Sequence, residues 1–404
     1  LTVSALLSDR AIALRLSLLY AATFLTYGVQ IPFLPVWLGA RGLDDQRIAL
    51  ILAAPLFLRV VTTPLFSRWA DKRGDFVGTL AASLVVMTLL CAVLIFLSGF
   101  VAIFIAVTLF SCAQGVAMPL NDALTFAVLR TRNQWQTLAG ADKEAPAPLE
   151  YGRIRKWGSA AFILGNVVAG LFLSLTSVST IPYGLAAFAS LSVGAAFYAT
   201  PLGALAHAPG PSETARSEGR GFALLIPVMA AAALIQASHG LVNTFGSLHW
   251  AREGYSSLFI GAAWALGVVC ETTFFALVGR WAAGADRAAG LLALGGLAAA
   301  LRWLVMASDP GAVLLALAQA AHGFSFAATH AGSMFLIFEL APHSMRARAQ
   351  GWLTAAIAGA SALVVTASGP LYAGLGEVAY LVMASLAALG VALAIYVGAR
   401  RRLA

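Results

Sequence analysis

Apolar residues run in twelve long blocks along the chain, separated by polar or charged connections. The blocks fall at 13–38, 48–67, 76–98, 100–129, 157–177, 181–203, 222–247, 256–279, 288–307, 311–338, 351–370 and 378–399. Each holds about 20 or more residues, enough for a helix to cross ~30 Å of hydrocarbon. The pattern predicts an all-α integral membrane protein with twelve transmembrane helices. The first, fourth and tenth blocks are longer, which implies tilt or protrusion. Pro32, Pro35, Pro55, Pro64, Pro119 and Pro370 lie inside blocks, where packed membrane helices tolerate kinks.

The first half of the pattern returns in the second. At an offset of 212 residues, Gly42 corresponds to Gly254, and Ser67-Arg68-Trp69-Ala70 to Gly279-Arg280-Trp281-Ala282. Arg153-x-Arg155-x-x-Gly158 returns as Arg346-x-Arg348-x-x-Gly351. Two parallel six-helix bundles are therefore expected, at 1–203 and 222–404, related by an axis along the membrane normal. The stretch 204–221 is rich in Pro, Gly and Ser and reads as a flexible cytoplasmic linker between them. In secondary transporters of this build the solute site lies between the halves, near the bilayer midplane.

Composition agrees: 60% of residues are apolar, 10% are charged, and the mean hydropathy is +0.87. A soluble domain carries nearer a quarter charged residues. The net charge of +8 does not point to nucleic acid, because the basic residues are scattered between apolar blocks. With the N-terminus in the cytoplasm, 20 of the 25 Lys and Arg residues fall on the cytoplasmic side, against Arg41, Arg47 and Arg252 opposite. That asymmetry puts both termini in the cytoplasm. The first block begins near Ala13 and is long enough to span, so a cleavable signal peptide is not expected. Cys91, Cys112 and Cys270 all lie in apolar blocks and make no disulfide or metal set. Arginine outnumbers lysine 22 to 3, which hints at a bacterial source and hence an inner-membrane location.

A few polar groups remain inside the blocks, where a charge costs at least ~3 kcal/mol. They are Arg59, Asp122, Glu271, Arg302, His322 and His330, joined by uncharged Gln30, His239 and Asn243. Arg59 and Glu271 are repeat-mates at the 212 offset. They read either as a structural ion pair or as a cavity pair that makes and breaks during transport. Asp122 stands two turns before the expected end of its block and could be a water-exposed helix-end carboxylate. Arg155, at the entry of the fifth block, could be an anchor within a basic cluster. His322 and His330, eight apart, share one helix face roughly, and either can carry a proton near neutral pH. No clustered His/Asp/Cys set supports a metal.

Pro64-Leu-Phe-Ser67-Arg68-Trp-Ala70-Asp71-Lys72-Arg73-Gly74 resembles the signature loop of the major facilitator superfamily. Asp71, Lys72 and Gly74 fit that motif, which in the family holds the cytoplasmic gate. Ser67 replaces its first glycine, and Asp75 stands where a basic residue is usual. Glu150-Tyr-Gly-Arg153-Ile-Arg155-Lys-Trp157-Gly158-Ser-Ala-Ala-Phe162 is similar to the fifth-span entry of the lactose permease, phenylpropionate permease and nucleoside symporter groups. By that resemblance Asp122 takes the position of a sugar-binding glutamate, Arg155 of its partner arginine and Phe162 of a stacking tryptophan. Glu271, Arg302 and His322 fall at the polar positions of spans 8, 9 and 10. The stretch Gln319-Ala-Ala-His322-Gly-Phe-Ser325-Phe-Ala-Ala-Thr-His330 looks most like the phenylpropionate permease group. Ser325 replaces the proton-coupling carboxylate of lactose permease, and the acidic pair of its seventh span is missing from Ser238-His239-Gly-Leu-Val-Asn243. A lactose-type proton path therefore does not carry over whole.

Together these readings predict a proton-coupled importer of a small organic solute, best an aromatic or other carboxylate, working by alternating access. Arg59, Arg155 and Arg302 against Asp122 and Glu271 leave one net positive charge, which favours an anion. Expected solute contacts are Arg59, Asp122, Arg155, Phe162, Asn243 and Arg302. Asp122, Glu271, His322 and His330 are the proton-coupling candidates. The alternatives are proton symport of a sugar or nucleoside, and proton-driven export of drugs or metabolites. The fifth span lacks the proline of the exporters' Gly-Pro signature, which counts against export. No catalytic triad, phosphate loop or nucleic-acid module is evident, so no enzyme activity is expected. The expected partners are solute, protons and lipid, with no cofactor beyond the proton gradient, no metal, and a monomeric state.

Overall fold

The computed structural model describes residues 7–138, 150–206, 222–278, 285–342 and 345–403. Among them are twelve long helices: α1 Asp9–Ala40, α2 Asp45–Arg73, α3 Phe76–Val93, α4 Phe100–Leu138, α5 Tyr151–Leu175 and α6 Ile181–Tyr198. The second set is α7 Leu225–Arg252, α8 Ser257–Val278, α9 Ala285–Met306, α10 Ala312–Leu340, α11 Arg346–Leu375 and α12 Tyr380–Leu403. The last 54-residue apolar stretch, Arg348–Arg401, is two helices, because Gly376 turns the backbone at φ +58. Such helices pair their own backbone groups, as crossing a bilayer requires. Large apolar side chains point outward from them, as with Leu175 at 77% and Val313 at 78% exposure, where lipid replaces water. Most of 204–221 lies outside the described residues; 204–206 is helical.

The repeat extends to atomic detail. After α1, the Leu43 N–H donates to the Leu38 carbonyl and the Gly42 N–H to the Gly39 carbonyl, with Gly42 at φ +76. After α7, Tyr255 bonds to Trp250 and Gly254 to Ala251, with Gly254 at φ +85. Both helices thus end in the same glycine-terminated turn, which needs a left-handed residue. Two residues on, the Asp44 carboxylate accepts from the Arg47 N–H at 2.8 Å, and the Ser256 hydroxyl from the Phe259 N–H at 3.2 Å. Each caps the following helix at its free N–H groups. Every one of these pairs is related by the 212 offset.

The chain forms two compact units. One takes Leu1–Trp37 and Leu58–Pro211, the other Leu38–Phe57 and Ser212–Ala404. The segment 38–57 therefore packs with the second unit, although by sequence it belongs to the first half. Gly369 of α11 explains the fit, since a Cβ there would meet Ala49 at 2.9 Å and the Gln46 Cα at 3.0 Å. Arg252, at the end of α7, adds an ion pair to Asp45 at 2.9 Å. Within the first unit α3 packs on α4 and α6; within the second the repeat-equivalent α9 packs on α10 and α12.

Two segments depart from α geometry. Val242–Gly246 in α7 and Gly323–Ala328 in α10 are π-helical. Such turns are rare and often mark functional positions. The first begins three residues after His239 and the second directly after His322.

Candidate functional site

In the first unit Asp122 is the focus. The Tyr20 hydroxyl donates to its Oδ1 at 2.5 Å and the Tyr151 hydroxyl donates to the same oxygen at 2.9 Å. α4 continues to Leu138, so Asp122 is not a helix-end carboxylate. Phe126 stacks on Tyr151 at 4.6 Å and holds that ring in place. Arg155 lies over Phe24, 4.3 Å from the ring centroid, and 5.4 Å from that of Tyr20. Gly158 makes room for it, because a Cβ there would be 3.0 Å from Arg155 Nη1 and from Phe24. Among the described residues no ion pair joins Arg155 to Asp122; the phenols take that place. Arg59 donates through Nε and Nη2 to the Ser111 carbonyl at 3.0 and 2.7 Å. Phe162 is buried, with its carbonyl against Gly28.

In the second unit a polar chain runs through buried surroundings. Arg302, 3% exposed, donates from Nη1 to His322 Nδ1 at 3.1 Å and from Nη2 to Gln319 Oε1. Its Nε has no hydrogen-bond partner, and its Cζ lies 4.6 Å from the Trp303 ring centroid. On its other side, His322 presents Nε2 to Glu271 at 3.6 Å. Two glycines bring α8 and α10 together there. A Cβ on Gly323 would lie 2.6 Å from the Cys270 carbonyl carbon, and one on Gly267 would lie 3.2 Å from the Gln319 oxygen.

The Arg302 donor fixes the form of the His322 imidazole. Arginine can only donate, so His322 Nδ1 must carry the lone pair and Nε2 the hydrogen, facing Glu271. A carbonyl can only accept, so His239 donates from Nδ1 to Ile235 at 3.1 Å. Its Nε2 lies 3.1 Å from the Ser325 hydroxyl, which also reaches the His322 carbonyl at 3.4 Å. His322 is neutral in this arrangement, and the two ring centroids are 5.5 Å apart. Trp303 backs them, donating to Ser238 at 2.9 Å and stacking on Tyr380 at 5.8 Å.

His330 stays on the His322 side of α10, as its spacing predicts, with Phe326 stacked against both rings at 5.3 and 6.4 Å. Asn243 is the exposed residue of the first π segment. Gly74 ends α2 at φ +66, and Asp75 then caps α3 by accepting from the Gly78 N–H at 2.7 Å. That cap is why an acidic residue fits where the motif usually has a base. Lys72 is exposed on the last turn of α2, and the Asp71 side chain lies outside the described residues. Tyr20, Tyr151, Gln319 and Trp303 were not among the expected site residues. Aromatic and amide types give no signal in an apolar block until a charged neighbour is known.

The family model described as "MFS_1 like family" matches residues 13–381. A curated relative in Escherichia coli (strain K12), "Probable 3-phenylpropionic acid transporter", is 27% identical over 379 residues, covering 92% of this chain and 94% of the relative. The "Maltose permease" of Geobacillus stearothermophilus is 28% identical over 307 residues, covering 72% and 70%. Among solved structures, nucleoside transporter NupG superposes with a TM-score of 0.74 at 18% identity, covering 96% of this chain and 98% of that one. These are transporters and not enzymes. With twelve membrane-length helices and buried polar chains in its core, this protein is a multi-pass secondary transporter of the major facilitator superfamily and belongs to its MFS_1-like family.

Proposed function

We propose that the protein is a proton-coupled importer of a small organic carboxylate, aromatic carboxylates foremost. It acts as a monomer in a bacterial inner membrane, with both termini cytoplasmic. The observation that carries this reading is the hydrogen bond from Arg302 to His322 Nδ1. While it exists, Nδ1 cannot take a proton. An arriving carboxylate competes for the same guanidinium in two-point geometry. When Arg302 turns to the solute, Nδ1 is released and can be protonated, and Glu271 stands ready to pair with the imidazolium. Solute binding and proton uptake then favour each other, which is the linkage symport requires. The four charges of solute, arginine, imidazolium and Glu271 cancel, so the loaded site moves at low electrostatic cost. Kinship to the phenylpropionic acid transporter supports the substrate class.

Symport of a sugar or nucleoside is a second reading. Gln114 and Asn121 in α4 are buried with both side-chain polar atoms unpartnered, as is Asn166 Oδ1 in α5. Such amides cost about 1–3 kcal/mol each when unpaired, and hydroxyls of a neutral solute would satisfy them. The maltose permease likeness supports it. Uptake of labelled 3-phenylpropionate, maltose and uridine into energised vesicles separates the two. Uptake of the carboxylate alone supports the first, and uptake of a neutral solute alone refutes it.

A further inference from the structure

A separate cluster closes the end of the second unit where α7 stops and α9 meets α10. His249 in the last turn of α7, Glu253 just beyond it, and Asp309 in the α9–α10 connection point donor atoms at one spot. One imidazole nitrogen and two carboxylate oxygens lie within 4.8 Å of one another. His249 is buried, whereas both carboxylates are exposed.

We propose that these three residues form a divalent-cation site, matched best to Zn2+. Charge is the first argument. Among the described residues, no lysine or arginine pairs with Glu253 or Asp309, and the neighbouring Arg252 is committed to Asp45. Two carboxylates thus converge on one imidazole at a helix C-terminus, where the helix dipole already disfavours anions. A dication offsets both effects.

Geometry is the second. His249 Nε2 and Asp309 Oδ1 are 3.1 Å apart. Two donors that share one tetrahedral zinc at ~2.0 Å stand about 3.3 Å apart. Small rotations would admit an ion between them, with Glu253 as third ligand and water as fourth. The i, i+4 spacing of His249 and Glu253 puts both on one helix face. Behind the ring, His249 Nδ1 meets the Tyr372 hydroxyl at 2.8 Å, and Tyr372 is held by Phe245 stacked at 4.5 Å. A partner on the far nitrogen is what orients a metal-binding histidine. The mixed nitrogen and oxygen set suits zinc better than the all-oxygen shells of magnesium or calcium. Asp309 is also the one described non-glycine residue at positive φ, +47, a conformation that an aspartate adopts more readily than most residues.

On the orientation proposed above, this end faces outside the cell. A bound ion there ties the end of α7 to the α9–α10 connection.

The test is calorimetric titration of tag-free purified protein with ZnCl2, and with MgCl2 as control. One zinc per chain at micromolar affinity is expected, with magnesium silent. His249→Gln and Asp309→Asn should each abolish that site, and Tyr372→Phe should weaken it ~10-fold. Thermal midpoints without metal establish that the variants are folded; Asp309 is exposed, so its substitution remains informative if His249→Gln fails to fold. No zinc binding by the wild type, or wild-type affinity in folded Asp309→Asn, overturns the proposal. Sidedness is read separately, by withdrawal of zinc from an impermeant fluorescent chelator. Binding in inverted vesicles but not in right-side-out ones keeps the site and overturns the orientation.

Discussion

Arg302 Nη1 donates to His322 Nδ1 across 3.1 Å, joining α9 to α10 inside the second unit. A donor-only group thereby holds a titratable nitrogen in its unprotonated form. The same guanidinium keeps Nε unpaired while Nη2 is held by Gln319.

Arg302→Lys keeps the charge and loses the fork. A point charge on a flexible stem cannot serve His322 and Gln319 together, nor grip a carboxylate at two points. KM for a carboxylate solute should rise at least ~10-fold, about 1.4 kcal/mol, with a smaller change in the maximal rate. Initial-rate uptake in vesicles measures this.

Glu271→Gln removes the anion that faces His322 Nε2. Accumulation against a gradient should vanish while solute exchange at equal pH persists. A variant that still concentrates solute would remove Glu271 from proton coupling. Asp122→Asn is expected to lose accumulation as well, because its phenol contacts lose their charge.

Tyr20 and Tyr151 donate to one oxygen of Asp122, so their contributions should be coupled. Tyr20→Phe and Tyr151→Phe should each lower stability by about 1–3 kcal/mol, as loss of a hydrogen bond to a charged group does. The double variant should depart from the sum of the two by 0.5 kcal/mol or more, the range seen for shared partners. Thermal unfolding in detergent reads this cycle.

Gly28 and Gly240 are repeat-mates with different tolerance. A Cβ on Gly28 would lie 2.7 Å from the Phe162 carbonyl oxygen, which is backbone on α5. One on Gly240 would lie 2.8 Å from a Val364 methyl, a side chain on α11. Gly28→Ala should therefore cost about 1–3 kcal/mol, and Gly240→Ala less. The difference is read in the same unfolding assay.

Some of this was legible in the chain and some was not. Helix count and repeat were, because a bilayer forces long apolar runs, and because Gly42 and Gly254 occupy turns that need positive φ. The polar residues of spans 8, 9 and 10 were also legible, since a charge in hydrocarbon is conspicuous. Their joining through His322 and Arg302 was not, as it depends on close packing at Gly267 and Gly323. Asp122 was visible, but its partners come from 102 and 29 residues away and are tyrosines, which look like ordinary core. Neither π segment alters the apolar pattern enough to be read. His249 carries no signal in the sequence, because Asp309 and Tyr372 are 60 and 123 residues away and meet it only in the folded second unit. The packing of 38–57 with the second unit was hidden for the same reason, since Asp45 meets Arg252 207 residues away and Ala49 meets Gly369 of α11.

The most direct test is proton movement in lightly buffered, de-energised vesicles given 3-phenylpropionate, maltose or uridine, comparing wild type with His322→Asn. Asparagine keeps an acceptor near Nδ1 for Arg302 but cannot carry a proton. External alkalinisation on adding the carboxylate to wild type, lost in His322→Asn although the solute still binds, is the predicted result. Alkalinisation of equal size in the variant, or none in wild type while the carboxylate is taken up, would contradict coupling through this pair.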